Sequence, residues 1–172
     1  MAARPHPSEV DRFADTARRF CKWCESDKDK VPQAKLQFDA LRALADVYRA
    51  GFLLPDTDPC ELPRPQHLGR DQRKAIARKL DKLPFQYYWQ QPAPSDFEER
   101  KEAVCGDLFD DLLDIYADVI EGLWLFEKDQ VQAAVHHWRT SFGQHWGRRA
   151  VSALNALHLH ALDHPLPPAA DG

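Results

Sequence analysis

GDLFDDLLDIYADVIEGLWLFEKDQ (Gly106–Gln130) and AAVHHWRTSFGQHWGRRAVSALNALHLHAL (Ala133–Leu162) carry the longest apolar periodicity in the chain. In the first run, Leu108, Leu112, Ile115, Tyr116, Val119, Ile120 and Leu123 recur at three- and four-residue spacing, so one broad side of a helix is apolar. Asp107, Asp110, Asp111, Asp114, Asp118 and Glu121 fall on the other side, with no Lys or Arg among them. Glu127 to Gln130 reads as a short break. The second run places Val131, Ala134, Val135, Trp138, Phe142, His145, Trp146 and Arg149 at helical spacing and continues through Ala153, Leu154 and Leu157. This spacing puts Trp138, Phe142, His145 and Trp146 on the packing side and leaves the acids on an outer face. Gly143 and Gly147 each weaken the helix by ~1 kcal/mol and can kink or split it.

The flanking sequence repeats this pattern. Ser8 is an N-cap for a helix whose buried stripe includes Val10, Phe13, Ala14, Ala17, Phe20, Cys21 and Cys24. Pro32 opens a second helix reaching about Ala50, with Leu36, Ala40, Leu41, Leu44, Val47 and Tyr48 on one face and Gly51 at C′. Pro55, Pro59, Pro63 and Pro65 make the segment from Phe52 to His67 an irregular connector. A third helix, about Gly69 to Leu83, has a narrow stripe of Ile76, Leu80 and Leu83 and an otherwise basic surface. PFQYYWQQPAPSD, which follows, reads as extended or irregular. No stretch shows sustained alternation of strand period with hairpin turns. The expected fold is all-α: one bundle of five or six helices over residues 8–163 with a proline-rich connector, a disordered lead at 1–7 and a flexible tail at 164–172.

The totals exclude several classes. The chain's 172 residues suffice for one domain with a real core. A net charge of -4 opposes generic attraction to nucleic acid or anionic membrane. No apolar run approaches the ~20 residues of a membrane span, and MAARPHPSEVDRF has no signal-peptide core, so a cytoplasmic protein is expected. Its four cysteines are then expected to be reduced.

Candidate chemistry is sparse. Cys21-Lys22-Trp23-Cys24 lies late in a helix with both thiols inward, which suits core cysteines better than a redox or zinc pair. Glu99-x-x-Glu102 and Asp111-x-x-Asp114 superficially resemble the paired carboxylates with which all-α nucleoside triphosphate pyrophosphohydrolases hold magnesium. Only eight residues separate the pairs, and a solvated stripe, or one paired with the basic third helix, is the favoured reading. Among the histidines, His145 reads as a packed, hydrogen-bonded core residue rather than a ligand. Arg73, Lys74, Arg78 and Tyr88 outline a weak case for single-stranded nucleic acid. No nucleotide-binding or hydrolase loop motif occurs, and no cofactor is expected.

LPFQYYW (Leu83–Trp89), DDLLDIYADVIEGL (Asp110–Leu123), W-R-x-S-F-x-x-H-W-G-R (Trp138–Arg148) and ALNALH (Ala153–His158) occur in this order. Together, with F-C-x-W at Phe20–Trp23 and LLPD at Leu53–Asp56 fitting less specifically, they resemble the bacterial family of domain of unknown function 5063. The resemblance spans most of Val10 to Leu162. It implies a single helical domain in a bacterial cytoplasm and no particular activity. Arg149 stands where several relatives are expected to carry His, which counts against a metal at that position. The overall expectation is a non-enzymatic module that binds another protein, with Tyr88, Trp89, His145, Trp146 and Arg149 as candidate binding residues. A magnesium-dependent nucleotide or phosphate-ester hydrolase using Glu99, Glu102, Asp111 and Asp114 is the alternative.

Overall fold

A computed structural model describes residues 8–58, 67–93, 95–96, 98 and 101–165. The lead at 1–7, connector residues 59–66 with Cys60, Glu99, and residues 166–172 lie outside the described residues. The chain folds mainly into helices, as the periodicity predicts. They are α1 (Glu9–Glu25), α2 (Gln33–Phe52), α3 (Arg70–Leu80), α4 (Leu108–Phe126), α5 (Val131–Ser141) and α6 (Gly147–Asp163).

The ends of α1 and the start of α4 have local causes. Ser8 and Asp11 form a capping box on α1: the Ser8 hydroxyl accepts from Asp11 N–H at 3.1 Å, and Ser8 N–H donates to the Asp11 carboxylate at 3.2 Å. At the other end Lys28, only 3% exposed, turns its ammonium back over the Trp23 ring. It donates to the carbonyls of Trp23, Cys24 and Ser26 at 2.6, 3.3 and 3.2 Å. A cation thus satisfies carbonyl oxygens that the last turn leaves unpaired. Asp107 caps α4 by accepting from Phe109 N–H at 3.0 Å and Asp110 N–H at 3.2 Å.

Three features depart from the sequence expectation. Gly51 lies within α2 rather than at C′, because Trp146 occupies its side: an added Cβ would sit 2.5 Å from Trp146 Cη2. The third helix stops at Leu80, although Leu83 remains buried. The segment read as extended or irregular forms a two-stranded antiparallel sheet, β1 (Tyr87–Gln90) with β2 (Val104–Asp107), in which Tyr88 faces Gly106 and Trp89 faces Cys105. Gly106 is needed there, since a Cβ would run into the Tyr88 ring.

Helices α1 and α6 each pack on both α2 and α4. Between α5 and α6 lies one π-helical turn, Phe142–Trp146, flanked by helical backbone, so α5 and α6 form one rod with a wide turn. Its packing consequence is large. At about 100° per residue, an unbroken α-helix would rotate Ala150 roughly 120° away from Trp138. Trp138, Trp146, Ala150, Ala153 and Leu157 are nevertheless all fully buried. The wide turn supplies the missing rotation.

Trp138 and Trp146 anchor this rod. Trp138 lies 4.6 Å from Phe13 and 6.0 Å from Phe126 between ring centroids, and its indole N–H donates to Val119 O at 3.0 Å. It sits in the notch at Gly122, where an added Cβ would overlap the indole. Ala is ordinarily the better helix former by about 1 kcal/mol. Gly122→Ala is expected to reverse that sign, lowering stability by about 2–3 kcal/mol in urea denaturation, because the indole must shift and abandon Val119. An unchanged or raised midpoint would show that the notch has slack.

Candidate functional site

The acidic side of α4 is not an outer solvated face. Asp111 is 5% exposed, and both its oxygens are engaged: Arg149 Nη1 donates to one at 2.6 Å and the Tyr88 hydroxyl to the other at 2.5 Å. Asp114 lies between two guanidinium groups, with Arg73 Nη2 at 2.7 Å and Arg149 Nη2 at 3.1 Å. His145 Nδ1 donates to Asp118 at 2.6 Å, while Arg149 Nε donates to His145 Nε2 at 3.2 Å. That pair of bonds fixes the imidazole as the neutral Nδ1–H tautomer. Further along, Glu121 meets His67 Nδ1 at 3.0 Å. Tyr88, Asp111, Arg149, His145 and Asp118 therefore form one connected chain joining β1, α4, the π turn and α6.

Burial and charge leave their mark on these groups. Burial, reinforced by the Asp111 bond, raises the Tyr88 hydroxyl well above its ordinary value. Burial also raises the Asp118 carboxyl, opposed in part by His145. Burial lowers the Arg149 pKa, but the Asp111 bond and the charges of Asp114 and Asp111 more than reverse this. Asp110 is raised by burial and by its acidic neighbours Asp107, Asp114 and Asp111.

His145 and Arg149 lie off the packing face, which corrects the expectation of a core histidine. An α-phase carried through residues 138–149 puts both within about 20° of Trp138; the wide turn moves them by about 100°. His145 is consequently 45% exposed at its side chain and lies beside Asp118. Trp146 stays wholly inside the core and offers no surface to a ligand. Tyr88 joins the network through its hydroxyl. Trp89, from the opposite face of β1, is 74% exposed.

A cleft of about 260 Å³ lies beside this network, lined by Gln90, Asp111, Gln144, His145, Arg148, Arg149 and Ser152. A second space of about 680 Å³ shares Gln90, Arg148 and Ser152 with it and extends past Trp89, Val151 and Asn155. One wall is β1. The other is the α6 stripe of Arg148, Val151, Ser152 and Asn155, spaced as one helix face. Arg148 has no acidic partner among the described residues. No motif in the sequence singles out Gln144, Arg148 or Ser152 as site residues. The available signal was the four-residue spacing of Trp138, Phe142, Trp146 and Ala150, which drifts by about 120° along an unbroken α-helix.

The residues of the other readings are dispersed or engaged. Arg149 bridges Asp111 and Asp114, so a guanidinium stands where a carboxylate-bound cation would be needed. Glu102 precedes β2, whose far end at Val104 lies about 10 Å from Asp107 at ~3.3 Å per strand residue, and Glu99 lies outside the described residues. No group of three or more His, Cys, Asp or Glu among the described residues could hold a metal ion. Of the residues considered for nucleic acid, Arg73 is committed to Asp114 and Tyr88 to Asp111, whereas Lys74 and Arg78 are exposed. Cys21 and Cys24 are buried thiols, and burial raises both far above the reactive range.

Fold and site define a small helical protein with a part-buried charge network opening onto a groove beside a short sheet. The chain belongs to the family described as Domain of unknown function (DUF5063), which matches residues 5–163. It also resembles the crystal structure of protein BF1032 from Bacteroides fragilis, with a TM-score of 0.73 at 19% identity over 95% of this chain and 97% of that one. At that identity the likeness establishes the fold. No curated protein matches the chain. Among the described residues, no helix is long and apolar enough to cross a membrane.

Removing Arg149 should expose the dependence of Asp111 on its partner. Arg149→Met is expected to lower stability by about 2–4 kcal/mol, with part recovered in Arg149→Met/Asp111→Asn, both read by urea unfolding. A fully additive double variant would contradict the coupling. Asp110 gives the opposite sign. Its folded carboxyl is raised, so its ionised form opposes folding above the raised value, and the effect disappears below the ordinary carboxylate pKa, where both states are protonated. Asp110→Asn should raise the urea midpoint at pH 7 and leave it unchanged near pH 3.

Proposed function

We propose that this chain is a non-enzymatic protein-interaction module whose binding face is the groove between β1 and α6. The observation that carries this reading is an open, aromatic strand edge. Leu108 N–H donates to Gln86 O at 2.8 Å, so alternation along the ladder gives Tyr88 and Gln90 the hydrogen bonds to β2. The N–H and C=O groups of Tyr87 and Trp89 consequently point to the other edge. None of them has a hydrogen-bond partner among the described residues.

Such an edge pairs readily with an extended segment of another chain, and proteins that avoid this protect it with charge or proline. Here the edge residues are uncharged and aromatic: Tyr87 and Trp89 are 63% and 74% exposed. A segment added to β1 would lie in the space of about 680 Å³ against Val151 and Asn155, with Arg148 ready to meet an acidic side chain. The structural neighbour's origin in Bacteroides fragilis supports a bacterial setting, and the free buried thiols suit a reducing cytoplasm.

The test is photo-crosslinking in source cells from a reactive residue at Val151, with Lys35 on α2 as the control position. A discrete protein adduct is expected at Val151 and not at Lys35. It should weaken with Trp89→Ala and vanish with Trp89→Pro, which blocks the outer edge while sparing the bonds to β2. An adduct indifferent to both variants, or the same pattern from both positions, would sink the reading.

A further inference from the structure

The last turn of α6 carries a second constellation, remote in sequence from β1 and independent of the docking reading. His160 and His164 are one helical turn apart, with ring centroids 4.1 Å apart and an interplanar angle of 14°. Each ring has one nitrogen already committed. His160 Nδ1 lies 2.9 Å from Gln37 Oε1. Gln37 is 3% exposed, and its amide nitrogen donates to Leu157 O at 3.4 Å, which fixes the amide so that Oε1 faces the imidazole. His160 must therefore carry its proton on Nδ1. Phe85 packs 4.8 Å from the same ring and holds its plane. His164 Nδ1 donates to His160 O at 3.1 Å, so its proton is also on Nδ1.

Both Nε2 atoms are left as lone-pair donors, and neither has a hydrogen-bond partner among the described residues. They lie beside a cleft of about 440 Å³ lined by Gln33, Gln37, Pro84, His160 and His164, among others. A histidine that binds metal characteristically gives its other N–H to a carbonyl or carboxylate, which fixes tautomer and ring orientation. Here a buried glutamine provides that support for His160 before any ion arrives. Two imidazoles four apart on one helix face are a recurrent half of zinc sites.

We propose that His160 and His164 form a solvent-open, two-imidazole site for a borderline-soft divalent transition ion, of the class Cu²⁺, Ni²⁺ or Zn²⁺, with water completing the coordination. Metal–nitrogen bonds of about 2.0–2.1 Å require the two Nε2 atoms to approach to about 3 Å. In the stack the two ring planes are nearly parallel, so the exposed His164 ring must turn out of the stack by tens of degrees and give up its bond to His160 O, while Gln37 and Phe85 keep His160 fixed. Hard, oxygen-seeking ions such as Mg²⁺ gain little from imidazole, so the site discriminates by ligand type.

The test is calorimetric titration of the full chain with NiCl₂ at pH 7.5. Saturable binding is expected for the unaltered chain. His164→Ala should weaken it at least tenfold with little change in thermal midpoint in the absence of metal, because His164 is exposed. His158→Ala, exposed on the same helix, should leave affinity unchanged. A second readout does not depend on a variant: Ni²⁺ should broaden the imidazole NMR signals of His160 and His164 first. No binding, equal affinity in His164→Ala, or broadening centred on His136 and His137 would each overturn the assignment.

Discussion

Two glycine notches hold the bundle together. Trp138 fills the space over Gly122 on α4, and Trp146 fills the space over Gly51 on α2. The indoles are eight residues apart on one rod, and each clamps it to a different neighbour. Phe13 of α1 lies 4.6 Å from Trp138 and 6.3 Å from Trp146, so the first helix closes over both. Neither notch tolerates a Cβ without displacing an aromatic ring. The positions of α1, α2 and α4 around the C-terminal rod are therefore set by contacts of fixed shape rather than by apolar area alone.

The same arrangement governs the polar side. At their eight-residue spacing the indoles would drift by about 80° on an unbroken α-helix, and the π turn between them brings Trp146 back to the side of Trp138. That rotation also carries His145 and Arg149 round to α4, where His145 hydrogen-bonds Asp118 and Arg149 neutralises Asp114 and Asp111. A run of acids without an interspersed base is tolerable on α4 because cations arrive from α3 and from the rod. The core and the charge network are thus two outcomes of one local deformation. Asp111, almost wholly buried, depends on it most.

Most of the fold was legible because it rests on periodicity. The buried stripes of α1, α2 and α3 follow directly from apolar spacing, and Ser8 and Pro32 mark their helix starts. The sheet was hidden because its strands are four residues each and are joined by a long excursion rather than a tight turn. The site was hidden for a different reason. Helical angle assigns faces only while the phase holds, and it fails after Phe142. An unbroken phase groups Trp146 with His145, although Trp146 lies in the core and His145 does not. Gly143 and Gly147 were visible warnings of irregularity, but glycine alone does not say in which direction a helix will turn. The His160–His164 pair depends on Gln37, 123 positions away from His160 in sequence, and no local pattern could have announced it.

The wide turn also separates what the interior needs from what the surface needs. Omitting one residue near Gly143, whose added Cβ would meet nothing within 4 Å, would restore an ordinary α-helix. At about 100° per residue, Trp146, Ala150 and Leu157 would still fall within roughly 20° of Trp138. Interior register alone is therefore served as well by the shorter, more regular sequence. The supernumerary residue instead bulges Gln144 and His145 outward, towards Asp118 and the cleft beside Arg148. Local irregularity that the core does not require is a form of frustration, and in this protein it sits at the mouth of the groove.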